Sequence, residues 1–167
     1  MAIQKKTFKD VPADLKTNYQ KAVDALQKNN LEYGIMLLKG IVQKEPGFID
    51  AREQLRKAEK IHTSKLGLVA KLISGLKISG TLTAGKTLLA RKKPLEAMRK
   101  AEDALAMNLS SIPALNLLAQ SGSDLDAPFI TIEALEIARE YHPKNLAILS
   151  WLAEAYSDAK EGIKALK

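Results

Sequence analysis

The stretch that decides the fold is LSWLAEAY, at residues 149–156. Its leucines and tyrosine recur three and four positions apart, which is the spacing of one face of an α-helix, and an alanine follows the second leucine. The same pattern lies 34 residues upstream, where matching positions are Leu149 and Leu115, Leu152 and Leu118, Ala153 and Ala119. A fixed period of this length indicates a protein built from helical repeats.

Two further copies can be aligned. Another shift of 34 residues places Gly85 on Ala119, and a shift of 63 from there reaches Ala22. Small residues at one position let neighbouring helices approach closely, so this column predicts helix contacts. Pro46 and Pro143 cannot continue a helix and should end the second helix of a unit. The stretches KNN at 28–30 and QSGSD at 120–124 are predicted to form turns within hairpins.

This pattern resembles the tetratricopeptide repeat family, whose units pair two antiparallel helices over about 34 residues. Gly122, Thr131 and Leu109 depart from its aromatic, alanine and proline positions. The resemblance implies an all-α solenoid of antiparallel helical hairpins. We expect a flexible basic N-terminus at 1–12, repeats at 15–48, 78–111 and 112–145, an irregular helical insert at 49–77, and a partial repeat at 146–167.

The resemblance also implies a function. Proteins of this family are non-catalytic scaffolds, and the first helix of each unit lines a concave groove for a protein or peptide partner. The corresponding groove positions here are Tyr19, Lys86, Asn116, Gln120, Ser150 and Glu154. The family's carboxylate clamp of lysines, arginine and asparagines is not reproduced, so a chaperone's C-terminal tail is not the expected ligand.

A nucleotide-binding motif competes with this interpretation. Residues 80–87 spell G-x-x-x-x-G-K-T, the pattern of a phosphate-binding loop. Such a loop needs a buried strand before it and a second strand that ends in a metal-binding acid. The preceding residues have helical spacing instead, and Gly85 belongs to the small-residue column. We therefore predict that the motif is accidental and that Lys86 has no nucleotide role.

Charge is distributed unevenly along the chain. Residues 61–95 contain seven Lys or Arg and no Asp or Glu, whereas residues 101–167 contain ten acids and five bases. The basic patch comprises Lys65, Lys71, Lys77, Arg91, Lys92 and Lys93. Two interpretations of the segment before residue 78 remain open. Its apolar face packs between repeats, or segment 65–93 is a cationic amphipathic element for an anionic membrane surface or an assembly partner.

Other classes of chemistry find little support. No cysteine is present, and the two histidines lie apart, at 62 and 142, so neither a thiol nucleophile nor a metal site is predicted. We expect no enzyme activity and no cofactor. The basic segment has no aromatic residue for stacking on bases, so nucleic acid is not an expected partner. Without a signal peptide or a long apolar run, a cytoplasmic protein is predicted.

The C-terminal copy carries one more expectation. Its second helix would begin near Gly162, shortly before Lys167, which leaves the apolar side of its first helix uncovered. Solenoids normally end in a capping element with a polar outer face. We expect further repeats in the natural protein, and self-association of residues 1–167 through this C-terminal face.

Overall fold

A computed structural model describes residues 2–165, without the side chains of residues 68, 69, 71, 72, 74 and 160–165. The described residues form eight α-helices and no β-sheet. The helices are α1 (Ala13–Gln27), α2 (Leu31–Lys44), α3 (Ile49–Lys65), α4 (Leu68–Ala90), α5 (Pro94–Met107), α6 (Ile112–Asp124), α7 (Pro128–Tyr141) and α8 (Leu146–Ala165). None of the described helices is both long enough and apolar enough to cross a membrane.

Three helical hairpins, α1–α2, α4–α5 and α6–α7, turn in the same way. Each turn contains one residue with a positive φ, and these are Asn29 at 58°, Lys92 at 60° and Asp126 at 51°. The next residue donates its N–H to the carbonyl five positions earlier, at 2.9–3.0 Å. These turns lie 63 and 34 residues apart, as in the sequence alignment. Helices α4 to α8 stack in chain order, which confirms the predicted all-α solenoid of antiparallel hairpins.

The small-residue column is buried in three of its four positions. Ala22 and Ala119 are fully buried, and a Cβ atom on Gly85 would lie 2.4 Å from Leu117 Cδ2. Ala153, by contrast, is exposed. The expectation of a helix contact there is wrong for the described residues, because α8 packs against α7 alone among the described helices.

Two helix boundaries differ from the sequence prediction. Helix α4 runs without a break across residues 77 and 78, where we placed the border between insert and repeat. Neither glycine at 75 or 80 adopts a positive φ, and no proline interrupts this helix. Helix α6 extends to Asp124, so QSGSD is helical rather than a turn. Gly122 serves helix packing rather than a turn, since a Cβ atom there would lie 2.9 Å from Thr131 Oγ1 on the facing helix.

The helices form two lobes, each with its own apolar core. The N-terminal lobe, α1 to α3, buries residues such as Leu38, Phe48 and Leu55, and the C-terminal lobe, α4 to α8, buries residues such as Leu115 and Leu135. Contacts between the lobes run from α2 and α3 to α5, while α3 and α4 do not pack together. The N-terminal lobe therefore packs against the solenoid of α4 to α8 through α5.

The N-terminal segment is held by hydrogen bonds, contrary to the flexible tail that we predicted. Lys6 N–H donates to Gly47 O at 2.8 Å, and Ile49 N–H donates to Lys6 O at 3.0 Å. Closer to the N-terminus, Ile3 N–H donates to the carbonyl oxygen of Leu125, which follows α6 in the C-terminal lobe, at 3.3 Å. A Cβ atom on Gly47 would lie 2.0 Å from Gln4 O, so only glycine permits this approach. Residues 2–12 thus link the two lobes.

Candidate partner-binding cleft

A buried ionic cluster joins the two lobes. Arg52 and Arg56 lie one helical turn apart on α3 and point toward α5 and α7. Arg56 Nη2 donates to both carboxylate oxygens of Glu102, at 2.7 and 2.8 Å, and its Nη1 donates to Glu59 Oε2 at 2.7 Å. Both arginines also donate from Nε to Glu133, at 2.6 and 3.0 Å. Hydrogen bonds between charged guanidinium and carboxylate groups are shorter and stronger than neutral ones.

The pKa values of the cluster reflect this geometry. Burial raises the pKa of Glu59 from 4.5 to about 7, since desolvation outweighs the attraction of Arg56 and the charge of Glu102 adds to the increase. Glu59 is fully buried, and within the described part of the chain its Oε1 has no hydrogen-bond partner.

Glu133 responds in the opposite direction. Burial would raise its pKa, but Arg52 and Arg56 outweigh that effect and lower it. Burial would likewise lower the pKa of Arg56, yet Glu102, Glu59 and Glu133 raise it well above its ordinary value. Arg56 and Glu133 therefore stay charged at neutral pH.

A cleft of about 540 Å³ opens above this cluster, between α3 and α7. Its buried or half-buried apolar residues are Ile49, Leu109, Phe129 and Ile137. The exposed residues along α3 are Glu53, Lys57 and Lys60. The α7 side carries half-buried Glu136 and exposed Glu140, and Lys5 Nζ lies 5.5 Å from the centre of the Phe129 ring. An apolar floor with charged rims is typical of a binding site, and perturbed pKa values beneath it add to that indication.

The two rims differ in charge, since the α3 rim carries two lysines and one glutamate and the α7 rim carries two glutamates, and they meet at one end. Lys60 Nζ donates to Glu140 Oε1 across the opening, and this contact raises the pKa of Lys60. Lys57 is paired with Glu53 on its own helix at 2.7 Å. Both lysines are more than half exposed, so a ligand can compete for them at little cost.

The predicted groove residues lie elsewhere. Five of them are on the alternate helices α4, α6 and α8, namely Lys86, Asn116, Gln120, Ser150 and Glu154. Lys86, Gln120, Ser150 and Glu154 are exposed, and Gln120 donates to Asp124 Oδ1 at 3.1 Å. Asn116 is half-buried, and its Oδ1 has no hydrogen-bond partner among the described residues.

Tyr19 is separate from these five residues. It lies in the N-terminal lobe, with its ring centre 5.7 Å from that of Phe8 and 5.3 Å from that of Phe48. Helix α1 contacts α2 and α3 but none of the helices that carry the other five residues. The structure therefore does not bring Tyr19 into a common groove with them.

The predicted basic patch is spread over a long distance. Lys65 ends α3, Lys77 is exposed on α4, and the side chain of Lys71 lies outside the described residues. The exposed residues Arg91, Lys92 and Lys93 follow the far end of α4, about 20 Å from Lys77 by helical rise. Lys93 is also paired with Glu96 at 3.0 Å. These cations form two groups rather than a single patch.

The G-x-x-x-x-G-K-T stretch lies wholly inside α4. Its Thr83 and Thr87 hydroxyls donate to the carbonyls of Ser79 and Thr83, at 3.0 and 2.9 Å. Backbone N–H groups in a helix interior are used by helical hydrogen bonds, so they cannot cradle a phosphate as a loop does. Across the described residues, no group of three or more His, Asp or Glu is placed to hold a metal ion.

Comparison with known proteins assigns no family. A scan against protein-family models gave no match, and a search of curated proteins found none similar to this chain. The resemblance to tetratricopeptide repeats therefore remains a prediction from sequence.

The sequence prediction missed the residues of the cleft. We treated α3 as a charged helix of an irregular insert, although Arg52, Arg56, Glu59 and Thr63 repeat at helical spacing beside buried Leu55. Glu102 lies four residues after Met98 and three before Leu105, on the apolar face of α5. Charged residues on an apolar face were the available signal of a buried ionic cluster.

Proposed function

We propose that the protein is a non-catalytic, cytoplasmic scaffold of tetratricopeptide-like hairpins that binds a protein or peptide partner in the cleft between α3 and α7. The observation that carries this proposal is the apolar floor of Ile49, Phe129 and Ile137, bordered by lysines of α3 and by glutamates of α7. A segment with an apolar anchor suits such a floor. Acidic residues of that segment would face Lys57 and Lys60, and basic residues would face Glu136 and Glu140.

The buried cluster supports this role because it fixes the two walls of the cleft. Arg52 and Arg56 connect α3 to α7 through Glu133, so the width of the opening is set before a partner arrives. A preformed site loses less conformational entropy on binding than a flexible one.

Selection from a displayed random-peptide library on the full chain tests the proposal. Peptides that bind the cleft should bind the Lys57→Glu variant about fivefold more weakly or worse, because a rim charge is reversed. Lys44→Glu is the matched control, since the two lysine side chains are 61% and 64% exposed and Lys44 lies on α2, away from the cleft. Peptides that instead shift the NMR signals of Asn116 and Gln120, and bind both variants equally, would favour the groove of first helices.

A second candidate function has its own observation. Leu76 on α4 is 75% exposed and Ile73 is 49% exposed, in a region without acidic residues. Segment 65–93 could therefore serve a peripheral membrane or assembly adaptor. The third candidate, a nucleotide binder, lacks a loop at residues 80–87. ATP binding at micromolar concentration that is lost in Lys86→Ala would support the nucleotide-binding function.

A further inference from the structure

One face of α4 points away from the core and carries apolar side chains. The core side of this helix is formed by Ile78, Leu82 and Gly85. On the opposite side, residues follow one another at alternate steps of three and four, and all are exposed. We call these the α4 outer face: Ile73, Leu76, Gly80, Thr83 and Thr87. Ile73 lies at its edge, where it also borders a cavity beside Ala106 and Met107 of α5. Alternate steps of three and four are the spacing of a helix that packs along another helix.

The packing within the chain does not explain two features of this face. Leu76 exposes three quarters of its surface, although leucine is normally buried. Gly80 weakens the helix relative to alanine, yet a Cβ atom there would meet no atom within 4 Å. Gly85 differs, because Leu117 occupies the space that its Cβ atom would need. A partner that approaches closely over Gly80 would account for both features.

Charge indicates which partner this face suits. Lys77 and Lys86 are exposed on α4, and residues 61–95, which include all of this helix, contain no Asp or Glu. An acidic partner is attracted to such a surface, whereas a second copy of α4 is repelled by it.

We propose that the α4 outer face is a docking surface for an amphipathic helix of an acidic protein partner. The proposal rests on the second candidate function, an adaptor that acts through segment 65–93. It takes the partner of that adaptor to be a protein and not a membrane. After Leu76 the side chains of this face become small, at Gly80, Thr83 and Thr87. Small side chains allow the backbone of a second helix to pack closely. Hydroxyl side chains and a glycine offer little apolar area to lipid, and α4 contains no aromatic residue of the kind that anchors interfacial helices.

A designed peptide serves as the probe. It is a labelled helix of three heptads, with leucine at the packing positions and glutamate on both flanks. The control peptide has lysine in place of glutamate. Fluorescence anisotropy with the full chain should show saturable binding of the acidic peptide that weakens as salt rises. The lysine peptide should bind at least tenfold more weakly.

Variants of the face separate docking from folding. Leu76→Ser and Gly80→Leu should each weaken binding of the acidic peptide about fivefold or more. Leu146→Ser is the matched control, because Leu146 is 79% exposed on α8, and it should bind normally. Gly80→Ala should raise the unfolding midpoint and yet weaken binding, a combination that a purely structural role of Gly80 would not produce.

Three results would overturn the proposal: no binding of the acidic peptide, equal binding of both peptides, or equal binding by Leu76→Ser and wild type. Capture of the chain by phosphatidylserine vesicles, without peptide binding, would overturn it in favour of a membrane surface. The Lys57→Glu variant should bind the acidic helix normally. Loss of peptide binding in the cleft and loss of helix binding on the α4 outer face can therefore be told apart.

Discussion

At the scale of single residues, Glu59 links the stability of the fold to pH. Its pKa is about 7 in the folded chain against an ordinary value of 4.5, so the folded state holds the proton more tightly than the unfolded state. This contribution to stability is fully present below pH 4.5 and is lost as pH rises through 7. Glu133 acts in the opposite sense, because its lowered pKa contributes stability that is lost as pH falls.

Replacement of Glu59 by glutamine should remove the loss at higher pH. The pKa difference corresponds to a decline on the order of 3 kcal/mol in the free energy of unfolding between pH 4.5 and 8. Urea denaturation at pH 5, 6, 7 and 8 should show this decline in wild type and a flatter profile in Glu59→Gln. Glu53→Gln, on the exposed side of the same helix, should follow wild type. A wild-type profile in Glu59→Gln would mean that Glu59 titrates normally.

At the scale of helices, the same repeat position has different surroundings in two copies. Ala119 is fully buried in α6, whereas Ala153 is exposed in α8. Overpacking a buried helix contact costs about 1–3 kcal/mol, so Ala119→Leu should lower the thermal unfolding midpoint clearly. Ala153→Leu should stay within about 0.5 kcal/mol of wild type, as surface substitutions do. Circular dichroism melts of the two variants make the comparison, and equal losses would contradict the placement of α8.

The hairpins could be predicted from sequence because their determinants are local. Small residues at one position, and the prolines that follow α2 and α7, recur along the chain, and each needs only near neighbours. The cleft could not be predicted in this way. Arg56 is 46 positions from Glu102, and Arg52 is 81 positions from Glu133, so these pairs exist only once α3 has docked beside α5 and α7. The spacing of apolar residues within α4 likewise did not show that one helix runs from Leu68 to Ala90.

At the scale of the molecule, polar contacts predominate between the two lobes. Lys39 Nζ donates to Asp103 Oδ1 at 2.8 Å, and Leu109 N–H donates to Thr63 Oγ1 at 2.9 Å, beside the cluster of Arg52 and Arg56. Ala106 is the residue of α5 that packs on the N-terminal core. Polar contacts separate with less loss of buried apolar area than a continuous core would, so the lobes should open before either unfolds.

Removal of Arg56 tests this order of opening. Arg56→Ala leaves the buried Glu59 without its ion-pair partner and leaves Glu102 and Glu133 with one remaining arginine, so it should cost about 3–5 kcal/mol. Among the described residues, the N-terminal core has 11 buried apolar residues against 21 in the C-terminal core, so the loss should appear mainly in the N-terminal lobe. Hydrogen exchange should therefore quicken in α1 to α3 while the amides of α6 and α7 stay protected.

Lys44→Ala is the control for this experiment, because Lys44 pairs with Asp14 inside the N-terminal lobe and is well exposed. It should leave exchange unchanged in both lobes. If Arg56→Ala instead lowers protection equally in α1 to α3 and in α6 to α7, the chain unfolds as one cooperative unit. In that case the ionic cluster is part of a single core, and the cleft above it cannot widen by movement of one lobe against the other.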